Sequence, residues 1–175
     1  MVSLLAATDA FPPVISAAVR EAATAFFKTS CGLTHVPAGE MPRAELRAGI
    51  MSTISFLGDP SWAFALAFPE DAAVSIAKTF AGFEIPFDSP DMGDVLGEIA
   101  NVIAGDISAR LAKKGVSAQM SLPTVVCGDN VCLLVPATVS ATQLMFAGPN
   151  GTCWFNLMGT RTDGLTFRRP GADPG

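Results

Sequence analysis

The sequence predicts an α+β domain in which two long helices pack on a largely antiparallel sheet. Three observations carry that prediction. Two segments, one opening at Pro12-Pro13 and one after Ser89, repeat their apolar residues with the 3.6-residue period of a helix. Between and after them, apolar runs are cut by clusters of Gly, Pro, Asp and Asn at spacings that suit strands and turns. The resulting order is helix, three strands, helix, then helix and four strands. It suggests a weak internal duplication, each half contributing a long helix and a set of antiparallel strands.

Each element has its own signal. Proline suits the first turn of a helix, so Pro12-Pro13 opens the first one, and Val14, Ile15, Ala18, Val19, Ala22 and Phe26 form its apolar stripe. Ser30-Cys31-Gly32 ends it. Strands are expected around 33–37, 45–57 and 61–68, the last two joined by a Gly58-Asp59-Pro60-Ser61 turn. A second helix over 69–81 enters through Pro69-Glu70-Asp71, which places acidic residues at the positive end of the helix dipole. Residues 82–90 form a loop rich in Gly, Pro and Asp. The longest helix covers about 90–114, with Ser89 or Asp91 as cap and Gly115 as stop. Strands at about 116–126, 131–137, 141–147 and 152–160 follow, separated by Gly128-Asp129-Asn130 and Gly148-Pro149-Asn150-Gly151. Residues 1–167 are expected as one domain, with a disordered tail from 168 that contains Pro170, Gly171, Pro174 and Gly175.

Composition excludes several classes of function. The 175 residues are 50% apolar and 15% charged, enough to bury a core and too apolar for disorder over most of the length. A net charge of −5 leaves no basic stripe to replace phosphate counterions, which argues against nucleic acid. Lys113-Lys114 and Arg168-Arg169 are short pairs, a helix end and a tail. The N-terminal apolar start, Met1-Val-Ser-Leu-Leu-Ala-Ala, has no basic region and breaks at Asp9, and no apolar run approaches the ~18 residues of a membrane span. A reduced, cytoplasmic setting follows, since Cys31, Cys127, Cys132 and Cys153 are too scattered for a disulfide framework. Cys127 and Cys132 bracket an expected Gly-Asp-Asn turn that would let them approach one another, but a disulfide or metal there is the lesser reading. His35 is the only histidine, in a Thr-His-Val-Pro segment, so neither a histidine-based triad nor a zinc site with several short-spaced ligands is expected. No glycine-rich nucleotide motif is present.

The long helix is the informative element. Turned at 100° per residue, Met92, Val95, Leu96, Ile99, Val102 and Ile103 fall together as an apolar stripe. Asp94, Glu98, Asn101, Gly105 and Ser108 cluster within about 80° on the opposite side. Residues three apart on a helix are neighbours, so Glu98 and Asn101 place a carboxylate beside a carboxamide. Such a pair is common on solvated helices. Gly105 argues for more, because glycine inside a helix costs about 1 kcal/mol relative to alanine and Asn is also a poor interior choice. Two unfavourable choices on one stripe point to a docking surface. Asp106 and Arg110 lie nearer the core side and are expected to pair at the edge of the apolar stripe. The first helix has no such pair: its polar positions are Ser16, Arg20, Glu21 and Thr24.

Asp94-xxx-Glu98-xx-Asn101, continuing as Val102-Ile-Ala-Gly105, resembles the signature of the CheC/CheX/FliY chemotaxis phosphatases. Ser121-Leu-Pro123-Thr124 through Gly128 looks like the family's segment after this helix, and Gly49 through Gly58, Ala65–Phe68 and Ala73–Ala77 look like its hairpin and following helix. One motif rather than two makes the chain look more like CheX than CheC. The resemblance implies dephosphorylation of the phospho-aspartate of a CheY-like response regulator. Asn101 would hold the attacking water and Glu98 would salt-bridge a lysine of the partner, with Asp94, Gly105 and Ser108 completing the partner-binding face. It implies no metal or cofactor of the chain's own, Mg2+ on the partner, and a homodimer joined through its sheets. The alternatives are a non-catalytic module that docks a regulator or flagellar-switch component through the same helix, and a ligand-binding domain with a β-rich pocket.

Overall fold

The structure, a computed structural model, describes residues 11–37, 48–58, 60–133 and 139–160. Its helices are α1 (Pro13–Ser30), α2 (Glu70–Ala81) and α3 (Pro90–Ala112). Its strands are β1 (Thr34–Val36), β2 (Ala48–Leu57), β3 (Trp62–Phe68), β4 (Gln119–Met120), β5 (Thr124–Val131), β6 (Val139–Gly148) and β7 (Gly151–Thr160). Proline stands in the first turn of α1 and of α3, where a missing N–H costs nothing. Glycine ends α3: Gly115 takes φ +76°, which lets the Val116 N–H donate back to the Leu111 carbonyl at 3.0 Å.

All pairings in the sheet are antiparallel, in the order β1-β6-β7-β3-β2-β4, with β5 also paired to β2. The β3–β7 pair joins the two halves at the centre. Outward from it, β3 pairs β2 and β7 pairs β6. Each half then lends an edge strand to the other, β1 to β6 and β5 to β2. This pseudo-twofold order gives the sequence duplication its structural form.

The helices bury onto one face of the sheet. Phe27, Phe56, Phe64, Phe68, Phe146 and Phe155 are fully buried in the shared core, and full burial of each such side chain contributes about 1.5–3 kcal/mol. Cross-strand partners Phe56 and Trp62 stack with ring centroids 3.8 Å apart. The other face carries a smaller cluster of Met51, Ala65 and Ala67 with Val131, Leu133, Trp154 and Met158, and it includes no helix residue. There the buried Asn156 accepts from Gln143 Nε2 at 2.8 Å.

Three expectations need correction. The strand expected over 116–126 forms only as β4 and the start of β5, because Pro123 between them has no N–H to donate to a ladder. The turn expected at Gly128-Asp129-Asn130 is not a reversal: β5 runs through it. While β2 advances from Ala48 to Ile50, β5 goes from Val131 to Cys127, so the turn-forming residues are taken up in a bulge on an edge strand. Cys127 and Cys132, placed on that strand and just past it, are exposed and free. The third correction is Val102, expected in the apolar stripe of α3 but 41% exposed. The buried stripe is instead Met92, Leu96, Ile99, Ala100, Ile103, Ala104, Ile107 and Leu111, rotated so that alanines carry its far edge. Residues 45–47, the 134–137 part of an expected strand and the tail from 168 lie outside the described residues.

Candidate functional site

α3 is held on its buried side by α1, α2 and strands β2 and β5. Polar contacts flank both its ends. At the entry, Ser89 occupies the cap position, but its Oγ donates to the Pro86 carbonyl at 2.8 Å instead of accepting from the helix. Near the exit, Arg110 Nε donates to Asp106 Oδ2 at 3.0 Å and Arg110 Nη1 donates to Glu21 Oε2 of α1 at 2.8 Å. Asp106 and Arg110 thus pair at the margin of the stripe as the sequence indicates. Both carboxylates hold the Arg110 guanidinium above its usual pKa, the Asp106 hydrogen bond most strongly.

The opposite face of α3 carries the five residues singled out from the sequence. Asp94 and Glu98 are exposed; Asn101, Gly105 and Ser108 are half-buried. Among the described residues, no hydrogen bond or ion pair engages the side chains of Asp94, Glu98 or Asn101. A carboxylate and a carboxamide one turn apart are therefore both open to an incoming group. The carboxamide can accept a hydrogen bond and donate two. A Cβ added at Gly105 would meet nothing within 4 Å, so packing inside the chain does not demand glycine there.

The structure adds a neighbour that the sequence did not reveal. The 119–123 segment lies along the edge of this face. Ser108 Oγ is 3.8 Å from Met120 Sδ, and a Cβ on Gly97 would stand 3.6 Å from Pro123 Cγ. Met120 thus borders the polar stripe at Ser108, and both it and Leu122, two residues on, are exposed. Pro123 was visible as a sequence marker. Its place beside Gly97 depends on pairing across the sheet, which no local pattern encodes.

Among the described residues no group of three His, Cys, Asp or Glu side chains could hold a metal ion, and no helix is long and apolar enough to cross a membrane. The model of the family described as Chemotaxis phosphatase CheX matches residues 50–147, which span β2 to β6 and include all of α3. The chain belongs to the CheX family. Solved structures agree on the CheX-like fold. A CheC-like superfamily protein from Shewanella sp. PV-4 superposes with TM-score 0.73 at 17% identity, over 85% of this chain and 99% of that one. The chemotaxis protein CheX from Vibrio vulnificus gives 0.70 at 20% identity, over 82% and 97%. A chain of the CheX–CheY–BeF3–Mg2+ complex from Borrelia burgdorferi gives 0.65 at 18%, over 84% and 97%. Identities this low show the shared fold. The comparison with curated proteins finds no match.

Proposed function

We propose that the chain removes phosphate from the phospho-aspartate of a CheY-like receiver domain. The observation that carries this reading is the Glu98/Asn101 pair on α3 of a CheX-family fold, which no hydrogen bond or ion pair engages among the described residues. Asn101 holds a water in line with phosphorus, its carboxamide oxygen accepting one of the water's hydrogens. As the water oxygen bonds to phosphorus, the bond from phosphorus to the aspartyl oxygen breaks and the carboxylate leaves with the electron pair. Phosphoryl transfer asks a catalyst for positioning and charge compensation more than for covalent chemistry. Glu98 supplies orientation by pairing with a lysine of the receiver, and Asp94, Gly105 and Ser108 extend the contact along the helix. Mg2+ enters as part of the phosphorylated receiver, as the Borrelia complex contains Mg2+ together with CheY.

The same proposal includes a cytoplasmic setting and a homodimer joined through the sheets. The test of function is phosphate loss from the organism's own phosphorylated receivers with wild-type chain and with Asn101→Ala. Acceleration by the wild type that Asn101→Ala abolishes is expected. Binding of a receiver without acceleration would reduce the stripe to a docking surface.

A further inference from the structure

Two apolar ridges flank the Glu98/Asn101 stripe. On one side of α3, Val102 is 41% exposed, next in sequence to Asn101 and one turn from Glu98. On the other side the 119–123 segment is pinned to the helix at Ser108 through Met120 and at Gly97 through Pro123. Leu122 falls between those pins in sequence, two residues after Met120 and one before Pro123. At 87% exposure it is the most exposed large apolar side chain among the described residues. A lone exposed leucine needs no explanation. Here, however, exposed apolar residues border both sides of one polar stripe, and Gly105 keeps the floor between them bare.

The charge of this face narrows the occupant. Asp91, Asp94 and Glu98 are all exposed carboxylates on the same helix, and they repel a free phosphate or a small phosphorylated anion. A phosphoryl group approaches such a surface when a cation and a lysine of its own carrier already compensate it. That describes a protein domain with apolar surface around the group, not a small metabolite.

Resting on the function proposed above, we infer that Val102 and Leu122 are docking residues that grip a phosphorylated receiver on both flanks of its phospho-aspartate. Apolar contacts made equally in the bound and transition states lower KM without changing kcat. They also keep bulk water from the polar centre, as rims do around interface hot spots.

The experiment is steady-state dephosphorylation of a receiver by the full chain, comparing wild type, Val102→Ser, Leu122→Ser, Leu122→Met and Asn101→Ala. For each serine variant KM is expected to rise about tenfold, equivalent to about 1.4 kcal/mol, with kcat held. Leu122→Met is expected to restore KM, and Asn101→Ala to lower kcat with KM held. Unchanged KM in both serine variants, with wild type active, overturns the docking role and leaves the catalytic reading standing. Unchanged KM with a loss of self-association in Leu122→Ser gives the ridge to a second copy and likewise overturns it. A wild type that neither binds nor dephosphorylates any receiver removes both readings together.

Discussion

Arg110 Nη1 donates to Glu21 Oε2 at 2.8 Å, tying the last turn of α3 to the middle of α1. The same guanidinium holds Asp106 one turn back on its own helix. The link sits on the flank of α3 away from Glu98 and Asn101, so it steadies the helix without occupying its open face. Glu21 is 63% exposed, which limits the value of the pair. Arg110→Met keeps the apolar stem and removes both bonds. It is expected to cost about 0.5–1 kcal/mol, read as a melting point lower by about 1–4 °C with the loss shrinking at high salt.

Gly105→Ala separates stability from function. The new Cβ meets open space, so the substitution is expected to stabilise α3 by up to about 1 kcal/mol through helix propensity. If the stripe receives a partner, the same methyl group stands between that partner and the helix. Denaturant titration should show the gain, and a severalfold rise in KM for phosphorylated receiver should accompany it. Higher stability with unchanged KM would show that the glycine serves no docking purpose.

How much of this was legible in the sequence depends on the range of the forces involved. α3 and its polar face follow from periodicity within one segment, so the sequence alone sets Asp94, Glu98, Asn101, Gly105 and Ser108 on one side. The β6–β7 hairpin was legible for the same reason, since Gly148-Pro149-Asn150-Gly151 encodes its own turn. Val102 shows that apolar identity alone does not say where a stripe ends; the small Ala100 and Ala104 are fully buried in its place. Gly128-Asp129-Asn130 misled because a bulge on an edge strand uses the same residues as a turn. The 119–123 segment is not legible as a neighbour of α3, because β4 and β5 reach it by pairing with β2, about 70 residues earlier in the chain.

His35 carries a pH prediction. Partial burial, and then the nearby Arg20 charge, lower its pKa below the ordinary 6.5. As pH falls below 6.5, the unfolded chain takes up a proton that the folded chain refuses until lower pH. The unfolded state then binds more protons, so stability falls with pH through that window and is fully present above it. With one histidine in the chain, its imidazole titration by NMR is unambiguous. Arg20→Gln should raise the value only part of the way, and His35→Gln should flatten the stability slope below 6.5.

The four thiols should divide two and two. Burial pushes the Cys31 thiol up to about 12 and raises Cys153 well above its usual value, whereas Cys127 and Cys132 are exposed. Since the thiolate is the reactive form, a thiol reagent at neutral pH should label two cysteines rapidly in the folded chain and all four in denaturant. Fast labelling of Cys31 or Cys153 under native conditions would mean that the α1 end opens from β7.

The most direct test of the central claim is the rate of phosphate loss from a saturating phosphorylated receiver, measured with wild type, Asn101→Ala and Asn101→Gln. A positioned water requires both the carboxamide and its reach. The wild type should therefore accelerate phosphate loss, and both variants should fall by about 10²-fold or more, as a misplacement of roughly 1 Å can cost, while still binding the receiver. An Asn101→Ala variant as fast as the wild type would contradict the account.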